Sequence, residues 1–173
     1  MSEDSKTVTL FTDGACSPNP GPGGYGVIVV QSGQRRELAG GLRNTTNNRM
    51  EILAAIEGLK ALAGEGLDVT IYSDSRYLVD MFNGGYARQW RANHWMRNRK
   101  DRAMNPDLWG QLLDLAGRHR VRFEWVRSHN EHPENERCDQ LAVEARKQDN
   151  LPPDEEYERV SAAIPAQTLL DLT

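Results

Sequence analysis

The chain is 173 residues long, enough for one domain with a real core and too short for two of comfortable size. With 38% hydrophobic and 27% charged residues it has the composition of an ordered globular protein. No apolar run nears the roughly 18 residues of a membrane-spanning helix, and a net charge of −4, taken over the whole chain, argues against a nucleic-acid binder.

Residues 7–13 are rich in β-formers and end in Asp-Gly, which predicts a strand running into a turn. Residues 16–24 read as a Pro/Gly/Asn/Ser loop, 25–30 as a second strand, and 35–42 as a third that returns through the Ser32-Gly33 turn. The periodicity then changes. Thr45-Thr46 offers an N-cap, and residues 50–63 set Ile52, Ile56, Leu59 and Ala63 on one helical stripe. A short strand is expected over 69–74, and a helix from about Ser75 to Asn83. Asn105-Pro106-Asp107 opens another helix running to Ala116; residues 121–126 alternate as a last strand, and Pro133 opens a final helix over about 134–147. The order predicts an α/β fold: a five-stranded mixed sheet, three antiparallel strands then alternating helix and strand, with helices packed on it.

Charge is not evenly spread. Residues 149–173 hold six acids against Arg159 alone, a net of −5, behind a Pro152-Pro153 linker. The folded domain is therefore expected over 1–148, with 149–173 a flexible acidic tail. That tail's Leu169, Leu170 and Leu172 could dock a protein partner, though a frayed, passive end is the plainer expectation. Residues 86–102 carry six basic residues against Asp101 alone, a net of +5, with Trp90 and Trp95 among them. Whole-chain charge thus hides a basic arm suited to a polyanion. Two cysteines, Cys16 and Cys138, are too few for a disulfide scaffold, and the hydrophilic start lacks a signal sequence, so a cytoplasmic protein with reduced thiols and no membrane contact is expected; a monomer is the expected state.

Two motifs mislead. Residues 21–26 spell G-x-G-x-x-G, but these glycines lead into a strand, whereas a dinucleotide fingerprint must open a helix. His132-Pro133-Glu134 resembles a zinc deaminase motif without the P-C-x-x-C that should follow.

Four acids occupy less ordinary positions. Asp13 and Asp74 each close a strand. Glu51 precedes Ala55, Gly58 and Leu62 on its helix face, and Asp139 precedes Ala142 and Val143. Any one of them alone would be read as a turn former or a solvated helix residue. Four converging carboxylates would repel one another, and a hard divalent cation such as Mg²⁺ is the natural remedy.

At these residues the chain resembles the type 1 ribonucleases H, in their bacterial form, over about residues 7–148. The matching segments are residues 12–21 (TDGACSPNPG), 45–51 (TTNNRME), 72–75 (YSDS) and 129–139, which contains HPENERCD. The resemblance implies the ribonuclease H-like fold. It also implies an endonuclease that hydrolyses the RNA strand of an RNA–DNA hybrid by two-metal-ion catalysis, leaving 5′-phosphate and 3′-hydroxyl ends. By similarity Asp13, Glu51, Asp74 and Asp139 would hold the two Mg²⁺ ions, with Mn²⁺ as a substitute, and His129 would assist catalysis. Asn19, Asn47 and Asn48 match positions that read the minor groove, and Thr46 matches a phosphate contact. Arg76, where relatives carry Gln, would contact the backbone. Trp90, Arg97, Arg99 and Lys100 fall in the basic protrusion that grips the DNA strand, although Trp90 and Trp95 could equally be hinge or core residues. The chain departs from many relatives at Ser128, which precedes His129 where they have glycine. Alternatives are a non-catalytic hybrid-binding module or another nuclease of this fold, a resolvase or an exonuclease.

Overall fold

The computed structural model describes residues 6–127 and 132–164. Three long strands, β1 (Thr7–Cys16), β2 (Gly21–Gln31) and β3 (Gln34–Thr45), form an antiparallel meander, followed by helix α1 (Asn47–Lys60). Then come β4 (Asp68–Ser73), α2 (Arg76–Asn83), α3 (Tyr86–Ala92), α4 (Pro106–Ala116), β5 (Arg120–Trp125) and α5 (Pro133–Arg146). A last helix, α6 (Glu155–Ala163), follows a short extended stretch. The sheet order is β3-β2-β1-β4-β5, with β1, β4 and β5 parallel.

Alternation along each strand divides the side chains between two helical layers. Leu10 and Val27 face α1 beneath Gly58, and Val8, Val29, Ile52, Ile56 and Ile71 complete a fully buried core on that side. On the opposite face α5 lies so close to β2 that a Cβ at Gly24 would strike the Ala142 carbonyl, and one at Gly26 the Cys138 carbonyl. Of the glycines that imitate a dinucleotide fingerprint, Gly26 serves contact with α5 and Gly23 contact with Met50 of α1, whereas Gly21 makes room for the Pro18 carbonyl; Gly21 already begins β2, so the expected loop is shorter than residues 16–24.

The helix starts follow local chemistry. Thr46 caps α1 by accepting the Arg49 N–H at 3.2 Å, and Ser75 caps α2 by accepting that of Leu78 at 3.2 Å. The edge strand β5 is covered in part by α2: the Asn83 side-chain amide donates to the Phe123 carbonyl at 2.8 Å and accepts its N–H at 3.2 Å, standing in for a sixth strand.

The C-terminal segment differs from the expectation of a flexible tail beginning at residue 149. Through Ile164 it is joined to the body. The Arg43 N–H donates to the Pro152 carbonyl at 2.9 Å, Arg43 pairs with Glu158 at 2.8 Å, and Asp154 is only 6% exposed. Hydrogen bonds made by Asp154, described below, hold the segment where apolar burial does not; α6 itself buries no residue. Leu169, Leu170 and Leu172 lie outside the described residues.

Candidate active site

The parallel register pairs Phe11 with Tyr72, whose rings stack with centroids 5.2 Å apart. Two residues further along each chain stand Asp13 and Asp74, so neighbouring parallel strands deliver two carboxylates to the same end of the sheet and the same face. α1 brings the third. A Cβ at Gly14 would collide with the Met50–Glu51 backbone, so the glycine after Asp13 lets α1 press against β1 at the residue that carries the acid. The carboxylate oxygens of Asp13, Glu51 and Asp74 lie within 4.8 Å of one another.

Asp13 and Glu51 are poorly compensated. Asp13 and Glu51 are buried, 6% and 3% exposed, and among the described residues neither forms an ion pair. The Gly14 N–H donates to Asp13 Oδ1 at 2.9 Å, while Glu51 Oε2 is buried without a hydrogen-bond partner. Burial, followed by the charge of Asp74 and more weakly that of Asp139, pushes the Asp13 carboxyl up to about 8 despite the hydrogen bonds that oppose the shift. Glu51 is raised well above the ordinary range by burial first, then by the charges of Asp13 and Asp74. An orphaned buried oxygen facing two more carboxylates is a set of hard oxygen donors that fits a divalent cation. Asp139, on α5, lies outside this tight group, although its charge acts on Asp13. His129 lies outside the described residues.

Of the other positions singled out by sequence, Asn19 and Asn47 are brought together: the Asn47 N–H donates to Asn19 Oδ1 at 3.2 Å, which joins the loop after β1 to the first turn of α1. Thr46 is the cap of that turn, and Asn48 is exposed beside it. Arg76 lies with its guanidinium carbon 3.6 Å from the centroid of the Trp125 ring, and Trp125 Nε1 donates to the Asp74 backbone carbonyl at 3.2 Å. A cation–π stack so anchored orients an exposed cation beside the acid group. Sequence reasoning missed Trp125, which has no signature beyond ending a strand.

Of the two readings open for Trp90, its surroundings favour the core. It is 8% exposed and meets Trp109 edge-on, with centroids 6.2 Å apart, while Trp109 Nε1 donates to the Tyr77 hydroxyl at 2.9 Å. Its size and apolar surface root the basic arm in the core. The arm's tip is pinned by a Met96–Arg102 bridge and by Asn98 Oδ1, which accepts the N–H groups of Lys100 and Asp101, each at 2.8 Å. Arg97, Arg99 and Lys100 are left exposed there. Sequence reasoning also missed Arg49, which is buried two residues before Glu51 and ion-paired to Asp107 and Asp154 at 2.7 Å each. A cleft of about 850 Å³ lined by Tyr25, Leu53, Leu108, Leu141 and Leu151 opens elsewhere, bordered by none of Asp13, Glu51 or Asp74. Among the described residues no helix is long and apolar enough to cross a membrane.

Comparison with known proteins gives one answer. A family model described as RNase H matches residues 5–147. The chain is 59% identical over 149 residues to a ribonuclease H of Desulforamulus reducens, a match covering 86% of this chain and 93% of that one. Among solved structures, LC9-RNase H1, a type 1 RNase H with the type 2 active-site motif, superposes with a TM-score of 0.71 at 30% identity, over 82% of this chain and 72% of that one. LC11-RNase H1, solved in complex with RNA/DNA hybrid, shares the fold with a TM-score of 0.60 at 21% identity, over 80% of this chain and 95% of that one.

Proposed function

The chain belongs to the type 1 ribonuclease H family, and from that premise we propose that Asp13, Glu51, Asp74 and Asp139 hold two Mg²⁺ ions for cleavage of RNA. The enzyme is an endonuclease acting on RNA–DNA hybrids, and its family is metal-dependent. One observation carries the metal assignment: the unpartnered Glu51 oxygen, buried against two further carboxylates within 4.8 Å. When bound, such ions supply positive charge that lowers the pKa of the attacking water and stabilises the departing 3′ oxygen.

The chain's own residues do the rest. Burial and the neighbouring carboxylates raise both Asp13 and Glu51, so cation binding and ionisation are linked. Asn19 and Asn47, already bonded to each other, with Asn48 beside them, face the minor groove and recognise 2′-hydroxyls. Thr46 receives a phosphate while remaining the helix cap. Arg76, held flat on Trp125, meets the backbone near the scissile bond. Arg97, Arg99 and Lys100 grip the DNA strand by counterion release. His129 moves a proton or helps product leave. The products carry 5′-phosphate and 3′-hydroxyl ends.

The test is cleavage of RNA–DNA hybrid, double-stranded DNA and a four-way junction, with and without Mg²⁺, followed by end-group analysis. Cleavage of the hybrid alone, only with metal and with those ends, is expected. Cleavage of the junction alone, or metal-independent cleavage, would overturn the reading.

A further inference from the structure

Arg49 sits in the first turn of α1 and is 4% exposed. Its Nε and Nη2 donate to Asp154 at 2.7 and 3.0 Å, and its Nη1 and Nη2 to Asp107 at 2.9 and 2.7 Å. Nη1 also reaches Asn105 Oδ1 at 3.3 Å. Asp154 is used again on its other side. Its Oδ2 accepts the hydroxyl of fully buried Thr45 at 2.7 Å, and its Oδ1 caps α6 by accepting the Tyr157 N–H at 3.3 Å.

One carboxylate from the C-terminal segment therefore holds both ends of the stretch 45–49. Between its two grips lie Thr46, Asn47 and Asn48, the residues assigned above to the hybrid's phosphate and minor groove. Asn105 and Asp107 stand where the basic arm enters α4, so the same guanidinium also ties that turn to the base of the arm.

A buried ion pair is weak evidence for stability, since apolar groups of the same shape often serve as well. Fixed, directional hydrogen bonds instead define position. The attachment of α6 has the same character, since that helix buries no residue and is held by Asp154 and the exposed Arg43–Glu158 pair. Glu51 is placed separately, by the contact of its backbone with Gly14 on β1. The grip on 45–49 should accordingly set how the hybrid is received more than how its bond is broken.

We propose that Asp154 is a positioning residue for hybrid recognition, whose carboxylate, by holding Thr45 and Arg49, fixes the substrate-reading turn 46–48 from the C-terminal segment. This rests on the hybrid-cleaving reading above. Asp154 touches no substrate and acts through the turn alone.

The test uses the full chain, at a temperature well below the Tm of each variant. Steady-state hybrid cleavage with Mg²⁺ and hybrid binding without it are measured beside Tm. Asp154→Ala is expected to raise KM and Kd about tenfold with kcat within about twofold. Asp154→Asn, which keeps an accepting oxygen, and Thr45→Val, which deletes only one hydrogen bond, should each raise KM about threefold. Glu158→Gln, which loosens α6 without touching Asp154, should lower Tm slightly and leave KM unchanged. Wild-type KM in folded Asp154→Ala, with only Tm reduced, overturns the proposal. If that variant does not fold, wild-type KM in both Asp154→Asn and Thr45→Val overturns it equally. A wild-type chain that cuts no hybrid at all overturns the functional reading, and this proposal with it; a cutting wild type with indifferent variants overturns this proposal alone.

Discussion

Two groups of acids, each with buried members, meet α1 within a single turn of helix, and they are built in opposite ways. Asp107 and Asp154 converge on Arg49, where guanidinium, hydroxyl and amide groups answer their oxygens. Asp13, Glu51 and Asp74 converge on one another, and one oxygen of Glu51 is answered by nothing. Each group combines buried acids with a half-buried one, so burial alone does not separate them. Compensation does. Where the chain supplies the counter-charge the cluster fixes structure; where it leaves Glu51 Oε2 unanswered, the oxygen set fits a cation from outside.

The largest effect that would sharpen this contrast is on activity. Asp13→Asn or Glu51→Gln should lower Mg²⁺-dependent hybrid cleavage by about a thousandfold or more while hybrid binding survives, read by single-turnover cleavage and direct binding. Undiminished cleavage would break the assignment of these acids to the metal.

The compensated cluster should respond in stability instead. Arg49→Met leaves buried Asp154 and half-buried Asp107 without their cation and should cost about 3 kcal/mol in urea unfolding. A loss below about 1 kcal/mol would mean the acids find other partners and the contrast is weaker than the geometry implies.

The two clusters should also tilt the pH dependence of metal-free stability in opposite directions. Asp107 is lowered overall: burial alone would raise its pKa, but the hydrogen bonds and charge of Arg49 outweigh that. Its contribution is present above the unfolded carboxylate pKa near 3.8 and is lost as pH falls below it. Asp13 is raised from 3.8 to about 8, so its contribution is complete below 3.8 and is lost as pH climbs toward 8. Stability in EDTA should therefore pass a maximum in mildly acid solution and decline toward pH 8. A curve that is flat from pH 5 to 8, and unchanged in Asp13→Asn, would remove the electrostatic part of the account.

The smallest effect belongs to the arm. Neutralising Arg97, Arg99 and Lys100 should weaken hybrid binding several-fold and flatten its salt dependence, with little change in single-turnover chemistry. An unchanged salt slope would dispose of the basic grip.

The convergence of Asp13, Glu51 and Asp74 was legible in the sequence because each lies in or beside an element with a clear local pattern. Asp74 directly follows a strand of period two, Asp13 lies inside one that runs on to Cys16 rather than ending at the Asp-Gly step, and Glu51 lies on a helix whose small-residue face points at the sheet. Local periodicity also carried the order of strands and helices. The compensated cluster left no such trace, because its partners lie 58 and 105 residues from Arg49 and join only when α4 and the C-terminal segment fold against α1. α6 was hidden for a related reason: it buries nothing, and its attachment depends on Asp154 rather than on an apolar stripe. Trp90 was legible only as an open choice between substrate and core. Its charged neighbours suggested the substrate, whereas its contact with Trp109 in the core is non-local.

The account turns on whether the site holds more negative charge than the fold can bear without a cation. That is tested most directly by urea unfolding of the wild-type chain and Asp13→Asn at pH 8, with EDTA and then with Mg²⁺. The account predicts that without metal the variant is the more stable by about 2 kcal/mol, and that Mg²⁺ stabilises the wild type more than the variant. A variant no more stable than the wild type in EDTA, with Mg²⁺ stabilising both equally, would contradict it.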